Sequence, residues 1–156
     1  MRIVRHLTMT DLLSIVSIVA LVLTYDVGMT RAAMEKSPIG FWLNEARDAK
    51  IHVSQCGAAI CGKVIWLKEP LAGEPGQPQT DDKKPDPSLK TQPIIGLQLF
   101  IDMMPSTENS WSGRIYNADN GRTYTGTVTR LDSARLAVRG CDGTLCGKEI
   151  WTRAKR

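Results

Sequence analysis

Two stretches of this chain are close to being one stretch. Residues 49–68 read AKIHVSQCGAAICGKVIWLK, and residues 134–153 read ARLAVRGCDGTLCGKEIWTR. Each holds Cys-x4-Cys-Gly-Lys-x-Ile-Trp, and each opens on a run in which apolar and polar residues alternate. Alternation with period two puts one face of an extended strand into a core and the other into solvent. Two such runs joined by a few turn-forming residues make a β-hairpin. A pair of similar hairpins therefore frames the chain, and the rest must fold compatibly with them.

The rest is also strand-like. Period-two patterning marks strands at residues 39–44, 48–55, 61–68, 96–103, 111–116, 122–130, 134–140 and 146–153. Asn120-Gly121 is a strong hairpin signal between two of them. Residues 69–93 hold six of the eight prolines and almost no large apolar residues, so they read as one long loop. Eight consecutive antiparallel strands suffice to close an up-and-down barrel. An all-β, eight-stranded antiparallel barrel over residues 34–156 is the expectation, with an open sandwich as the alternative.

Placing Cys56 opposite Cys61 pairs Val53 with Val64 and Ile51 with Trp66. The equivalent register in the second copy pairs Val138 with Glu149 and Leu136 with Trp151. A two-residue loop at Asn120-Gly121 pairs Ile115 with Gly126 and Asn117 with Tyr124. The inward face then collects Trp42, Ile51, Val53, Val64, Trp66 and the run Leu97, Leu99, Ile101, Met103. It also collects Trp111, Ile115, Tyr124, Val128, Leu136, Val138 and Trp151.

The N-terminus bears on compartment. A basic start, MRIVRH, precedes an apolar run at residues 12–23, short for a membrane span and suited to a signal peptide. Residues 1–33 are read as that signal, cleaved near Ala32 or Ala33, with an uncleaved anchor as the alternative. Only in that alternative would the chain contact membrane. A periplasmic or secreted location follows. In an oxidising compartment the four cysteines, Cys56, Cys61, Cys141 and Cys146, favour disulfides. Pairing within each hairpin, cross-links between the copies and a four-cysteine zinc site all remain open, with disulfides preferred over metal.

Charge excludes one function class. The chain carries +4. Removing Arg2, Arg5 and Arg31 against Asp11 and Asp26 leaves +3, too diffuse for a nucleic-acid surface. After residue 33 the one histidine is His52, on an outer strand face, so no nucleophile–histidine arrangement can be assembled. Zincin, nucleotide-loop and EF-hand motifs are absent, and no cofactor is implied. The chain is not expected to be an enzyme.

Five residues are candidates for contact with a bound molecule. Trp66, Trp111 and Tyr124 would supply aromatic surface. Glu149 stands inward where the first copy has Val64, so it needs a partner such as a barrel arginine, or a ligand. Asp86, the fifth, lies in the long loop near Asp81 and Asp82 and is held stiffly between Pro85 and Pro87.

Gly40-Phe41-Trp42 in the first strand and Trp151-Thr152-Arg153 in the last resemble the signature of lipocalin-like barrels, or calycins. The resemblance implies structural roles for Gly40, Trp42, Trp151 and Arg153, with the arginine packed across the Trp42 ring. Ordered motifs at residues 40–42, 56–67, 82–97, 111–124 and 141–153 resemble a family of small exported bacterial proteins known only as a domain of unknown function. Lys84 departs from the asparagine expected before Pro85-Asp86-Pro87. The resemblance implies a lipocalin-like barrel in the bacterial envelope and no activity. A monomer holding a small, apolar or amphipathic ligand in the barrel or at its mouth is expected. The alternative is a filled barrel that serves as a structural or interaction protein of the envelope.

Overall fold

The structure, a computed structural model, describes residues 37–72 and 76–156. Residues 1–33, expected to be a signal segment, lie outside the described residues. Eight strands follow one another: β1 (Gly40–Leu43), β2 (Ala49–Cys56), β3 (Ala59–Leu67), β4 (Phe100–Thr107), β5 (Ser110–Asn117), β6 (Arg122–Arg130), β7 (Arg135–Asp142) and β8 (Leu145–Ala154). Each pairs antiparallel with the next, and β8 returns to β1, closing an up-and-down barrel. Closure leaves no sheet edge with unpaired backbone groups.

The two cysteine hairpins do not share a register. In the second, Cys141 faces Cys146 and Leu136 faces Trp151, as expected. In the first, Cys56 faces Ala59, Ser54 faces Cys61 and Ile51 faces Val64. The reason is the position of one glycine. Gly57 (φ +61°) and Gly143 (φ +59°) each take the first place of a two-residue turn, where positive φ is required. Gly57 directly follows its cysteine, whereas Gly143 comes one residue later, so the turn moves by one and the pairing by two. The disulfides are Cys56–Cys61, which runs diagonally, and Cys141–Cys146, which joins directly opposed residues.

The Asn-Gly hairpin differs in the same way. Asn117 faces Arg122 and Ile115 faces Tyr124, so the loop has four residues, 118–121, rather than two. A shift of two preserves which face a residue points to. Ile51, Val53, Val64, Ile115, Tyr124 and Val128 therefore remain on the inner face despite the altered pairing.

Face assignment fails only at bulges. Between β2 and β3 the register slips at Lys50/Ile51, leaving Ile65 as the extra residue. Beyond that bulge Leu67 is half-buried and Trp66 is 39% exposed, with Lys50 Nζ 5.5 Å from its ring. Trp66 is thus not an inward residue. A second slip lies in β4 between Ile101 and Met104, where Asp102 has φ +51°. It puts Phe100 and Met103 together in the core, and Phe100 replaces Ile101 as the inward residue.

The main core joins Trp42, Ile51, Val53, Ile60, Phe100, Met103 and Leu136 with Val128, Val138 and Trp151. Phe100 stacks on Trp151 at 5.5 Å and covers Gly62. Trp111 packs on the edge of this cluster. The barrel end at which β1 starts is closed. Arg153 lies 4.2 Å from the Trp42 ring and donates to the carbonyl oxygens of Ser133, Ile39 and Ser37.

The long connection from β3 to β4 is more ordered than its composition suggests. It holds backbone bridges Leu71↔Pro78 and Thr80↔Pro93 and a short 3-10 helix, Pro87–Leu89. Its last part enters the barrel wall: Val64 N donates to Leu97 O, Leu99 N to Gly62 O, and Tyr116 N to Leu99 O. Val64, Leu97 and Tyr116, with Ile94 and Leu99, form a second apolar cluster under the loop.

Candidate functional site

Turns β1–β2, β3–β4, β5–β6 and β7–β8 share the barrel end opposite Arg153. At that end lies a cavity of about 960 Å³. Its walls are apolar where the strands alternate inward: Ile51, Val64, Leu99, Ile115, Val138 and Trp151. Its mouth is polar because the turns supply it: Asn44 and Asp48 from β1–β2, Lys68, Glu69, Asp82 and Lys83 from the long connection, and Asp119 from β5–β6. The β7–β8 hairpin contributes Gly140, Gly147, Lys148 and Glu149. The lining as a whole is about as polar as it is apolar, so the cavity offers contacts of both kinds to a bound molecule.

Glu149 and Tyr124, two of the residues expected to contact a ligand, both line this cavity. Glu149 does not pair with a barrel arginine. Its Oε2 accepts a hydrogen bond from Trp151 Nε1 at 2.8 Å, and it joins no ion pair among the described residues. Tyr124 receives a hydrogen bond at its hydroxyl from Asn120 Nδ2, at 2.8 Å. Gly147 has nothing within 4 Å of where a Cβ would stand, so the wall is open there. The equivalent glycine of the first hairpin, Gly62, is covered by Phe100.

Three other candidates are elsewhere. Trp66 lies on the outer face, and Trp111 packs into the core without lining the cavity. Asp86 caps the 3-10 helix: its Oδ1 accepts from Ser88 N at 2.9 Å and from Ser88 Oγ at 2.7 Å. Those hydrogen bonds, side chain first, hold its pKa below the ordinary carboxylate value. Asp86 therefore orders the loop and is not among the residues lining the cavity.

The loop carboxylate that matters most structurally is Asp81, which is fully buried. Tyr116 donates its hydroxyl proton to Asp81 Oδ1 at 2.8 Å. Lys84 Nζ lies 3.3 Å from Asp81 Oδ2 and 3.9 Å from the centre of the Tyr116 ring. Burial first, then donation to a carboxylate and its charge, pushes the Tyr116 pKa upward and keeps the phenol neutral. The trio pins the connection to β5. Gly121 completes the seat: a Cβ there would lie 1.9 Å from Lys83 O, so the loop backbone needs a glycine beneath it. The one hint in the sequence was Lys84, a cation where an amide is expected, and it pointed to neither Asp81 nor Tyr116 as its partner. No group of three or more metal-ligating side chains occurs among the described residues.

With this geometry in view, the chain matches over residues 40–153 a family described as an uncharacterised protein conserved in bacteria, DUF2147. The chain belongs to this family. The resemblance seen in the ordered motifs is thereby met, although the family's description carries no activity. Comparison with curated proteins finds no match. Among solved structures this DUF2147 member is similar to HP1028 from Helicobacter pylori, described as a protein of the lipocalin family. The TM-score is 0.65 at 16% identity, over 76% of this chain and 84% of that one. At that identity the likeness establishes the shared barrel fold, in agreement with the Gly-x-Trp and Trp-x-Arg signature.

Proposed function

We propose that this DUF2147 protein is exported to the bacterial envelope and holds a small, partly apolar ligand in the mouth half of its barrel. The cavity carries the reading, because an interior of about 960 Å³ with an apolar wall and a polar rim suits an amphipathic molecule. Trp151, Val138, Ile115 and Ile51 would meet the apolar part, with Tyr124 and Glu149 meeting the polar part. Two disulfides suit an oxidising compartment, and the lipocalin-like barrel suits an enclosed ligand. No catalytic role is proposed.

Native mass spectrometry of protein taken from its own periplasm tests this. A stoichiometric co-purifying mass is expected, and Gly147→Phe, which projects a ring into the open wall, should remove it. Protein that always emerges ligand-free, and whose tryptophan fluorescence responds to no amphiphile, would be a filled interaction barrel instead.

A further inference from the structure

The polar rim has a sign. The residues at the cavity include five carboxylates, those of Asp48, Glu69, Asp82, Asp119 and Glu149, against three lysines, Lys68, Lys83 and Lys148. Lys83 is committed to Asp82 at 3.0 Å. None of the other six joins an ion pair among the described residues. Two lysines therefore stand against four carboxylates, and the mouth is net acidic in a chain of net charge +4. A patch of one charge favours a ligand of the opposite sign, so an acidic mouth favours a cation.

Glu149 gives that preference a position. It lies on the cavity wall, and its single hydrogen bond, from Trp151 Nε1, fixes the carboxylate beside an indole ring that also lines the cavity. The phenol ring of Tyr124 lines the same space. Glu149 meets Trp151 at the indole N–H edge, and Phe100 already stacks on that ring, so the charge of the carboxylate is what would recognise an organic ammonium here. An anionic head in the same place would meet Glu149 and the unpaired acids of the rim, which is a repulsive element against fatty-acid-like molecules.

We propose that the ligand is a cationic amphiphile, with an alkyl or aryl body against the apolar wall and a protonated amine directed at Glu149. This rests on the ligand-binding reading above. Three probes with one alkyl chain separate the two claims: decylamine, decanol and decanoic acid, each titrated calorimetrically below its aggregation threshold at low salt into the ligand-free exported protein. Decylamine should bind about fivefold more tightly than decanol, the range of a partly solvated ion pair, and decanoic acid most weakly. Glu149→Gln keeps an acceptor for Trp151 Nε1, so the fold should hold. It should bring decylamine to the level of decanol while leaving decanol unchanged. Decanoic acid binding as well as decylamine, or an amine advantage that survives Glu149→Gln, would overturn the charge assignment and leave the cavity reading standing. Failure of all three probes to bind would overturn both.

Discussion

Gly40 sits where no side chain fits. Its φ is +139°, and a Cβ would lie 2.6 Å from the Arg153 guanidinium. That guanidinium covers Trp42 and gathers three backbone carbonyls from both sides of the chain closure. Gly40→Ala should cost about 2 kcal/mol in urea unfolding, from backbone strain and displacement of the arginine. The cost should shrink in an Arg153→Ala background, because part of it is the collision between them. Tyr116 offers a second residue-level test with a pH signature. Its pKa is raised on folding above the ordinary 10.0. The neutral phenol therefore stabilises the fold fully below that value, and the contribution is lost as pH climbs through and beyond it. Tyr116→Phe should lose about 2 kcal/mol at neutral pH. Unfolding followed across pH 10.0 should show wild type converging on the variant, and parallel curves would reject the role.

At the level of elements, the strand order and most of the inner face were legible because both rest on period two. Two hairpins were paired two residues out, and Ile51, Val53, Ile115 and Tyr124 still faced inward, since an even shift conserves the face. The true register of the first hairpin was also present in the sequence, in Cys56-Gly57 against Cys141-Asp142-Gly143, had glycine position been weighed above cysteine symmetry. The bulges at Ile65 and Asp102 were not legible. Bulges accompany the strong curvature of a closing barrel, and neither bulged strand carries Gly or Pro at the extra residue; only Gly113, across from Asp102 on β5, marks the second, because a Cβ there would collide with the bulged backbone. That is why period two places Trp66 and Ile101 inward, where the structure has Trp66 exposed and Phe100 in the core. Of the site, Glu149 and Tyr124 could be read from face parity. The Asp81–Tyr116 bond could not, because it joins residues 35 apart across an irregular loop. The two disulfides staple opposite ends of the barrel, β2–β3 at the closed end and β7–β8 at the mouth. Each closes a short loop, and replacing either pair by serine should cost about 2 kcal/mol. Only the Cys141/Cys146 replacement should also weaken decylamine binding, since that hairpin carries Lys148 and Glu149 into the cavity. Equal effects of both pairs on binding would contradict this division.

For the whole molecule, the two ends perform different tasks. The closed end is filled with Trp42, Ile60, Phe100 and Met103, and Arg153 meets the carbonyl oxygens of Ser37, Ile39 and Ser133 there. The mouth keeps polar turns apart and leaves glycine at position 147, where a side chain would have space. Stability and binding should therefore respond to different substitutions. Ile60→Ala removes a side chain that is 2% exposed and distant from the cavity lining. It should lower unfolding free energy by about 3 kcal/mol through lost burial and the void left behind, with decylamine affinity unchanged under conditions where the barrel stays folded. Gly147→Phe should do the reverse. No atom lies within 4 Å of the new Cβ, so strain is not expected, and the unfolding midpoint should hold or rise as the ring covers apolar wall. Occupation of the cavity by that ring should reduce decylamine binding at least tenfold, a loss of about 1.4 kcal/mol. If Ile60→Ala abolished binding while the protein remained folded, or Gly147→Phe unfolded it, the division between a packed end and an open end would be wrong.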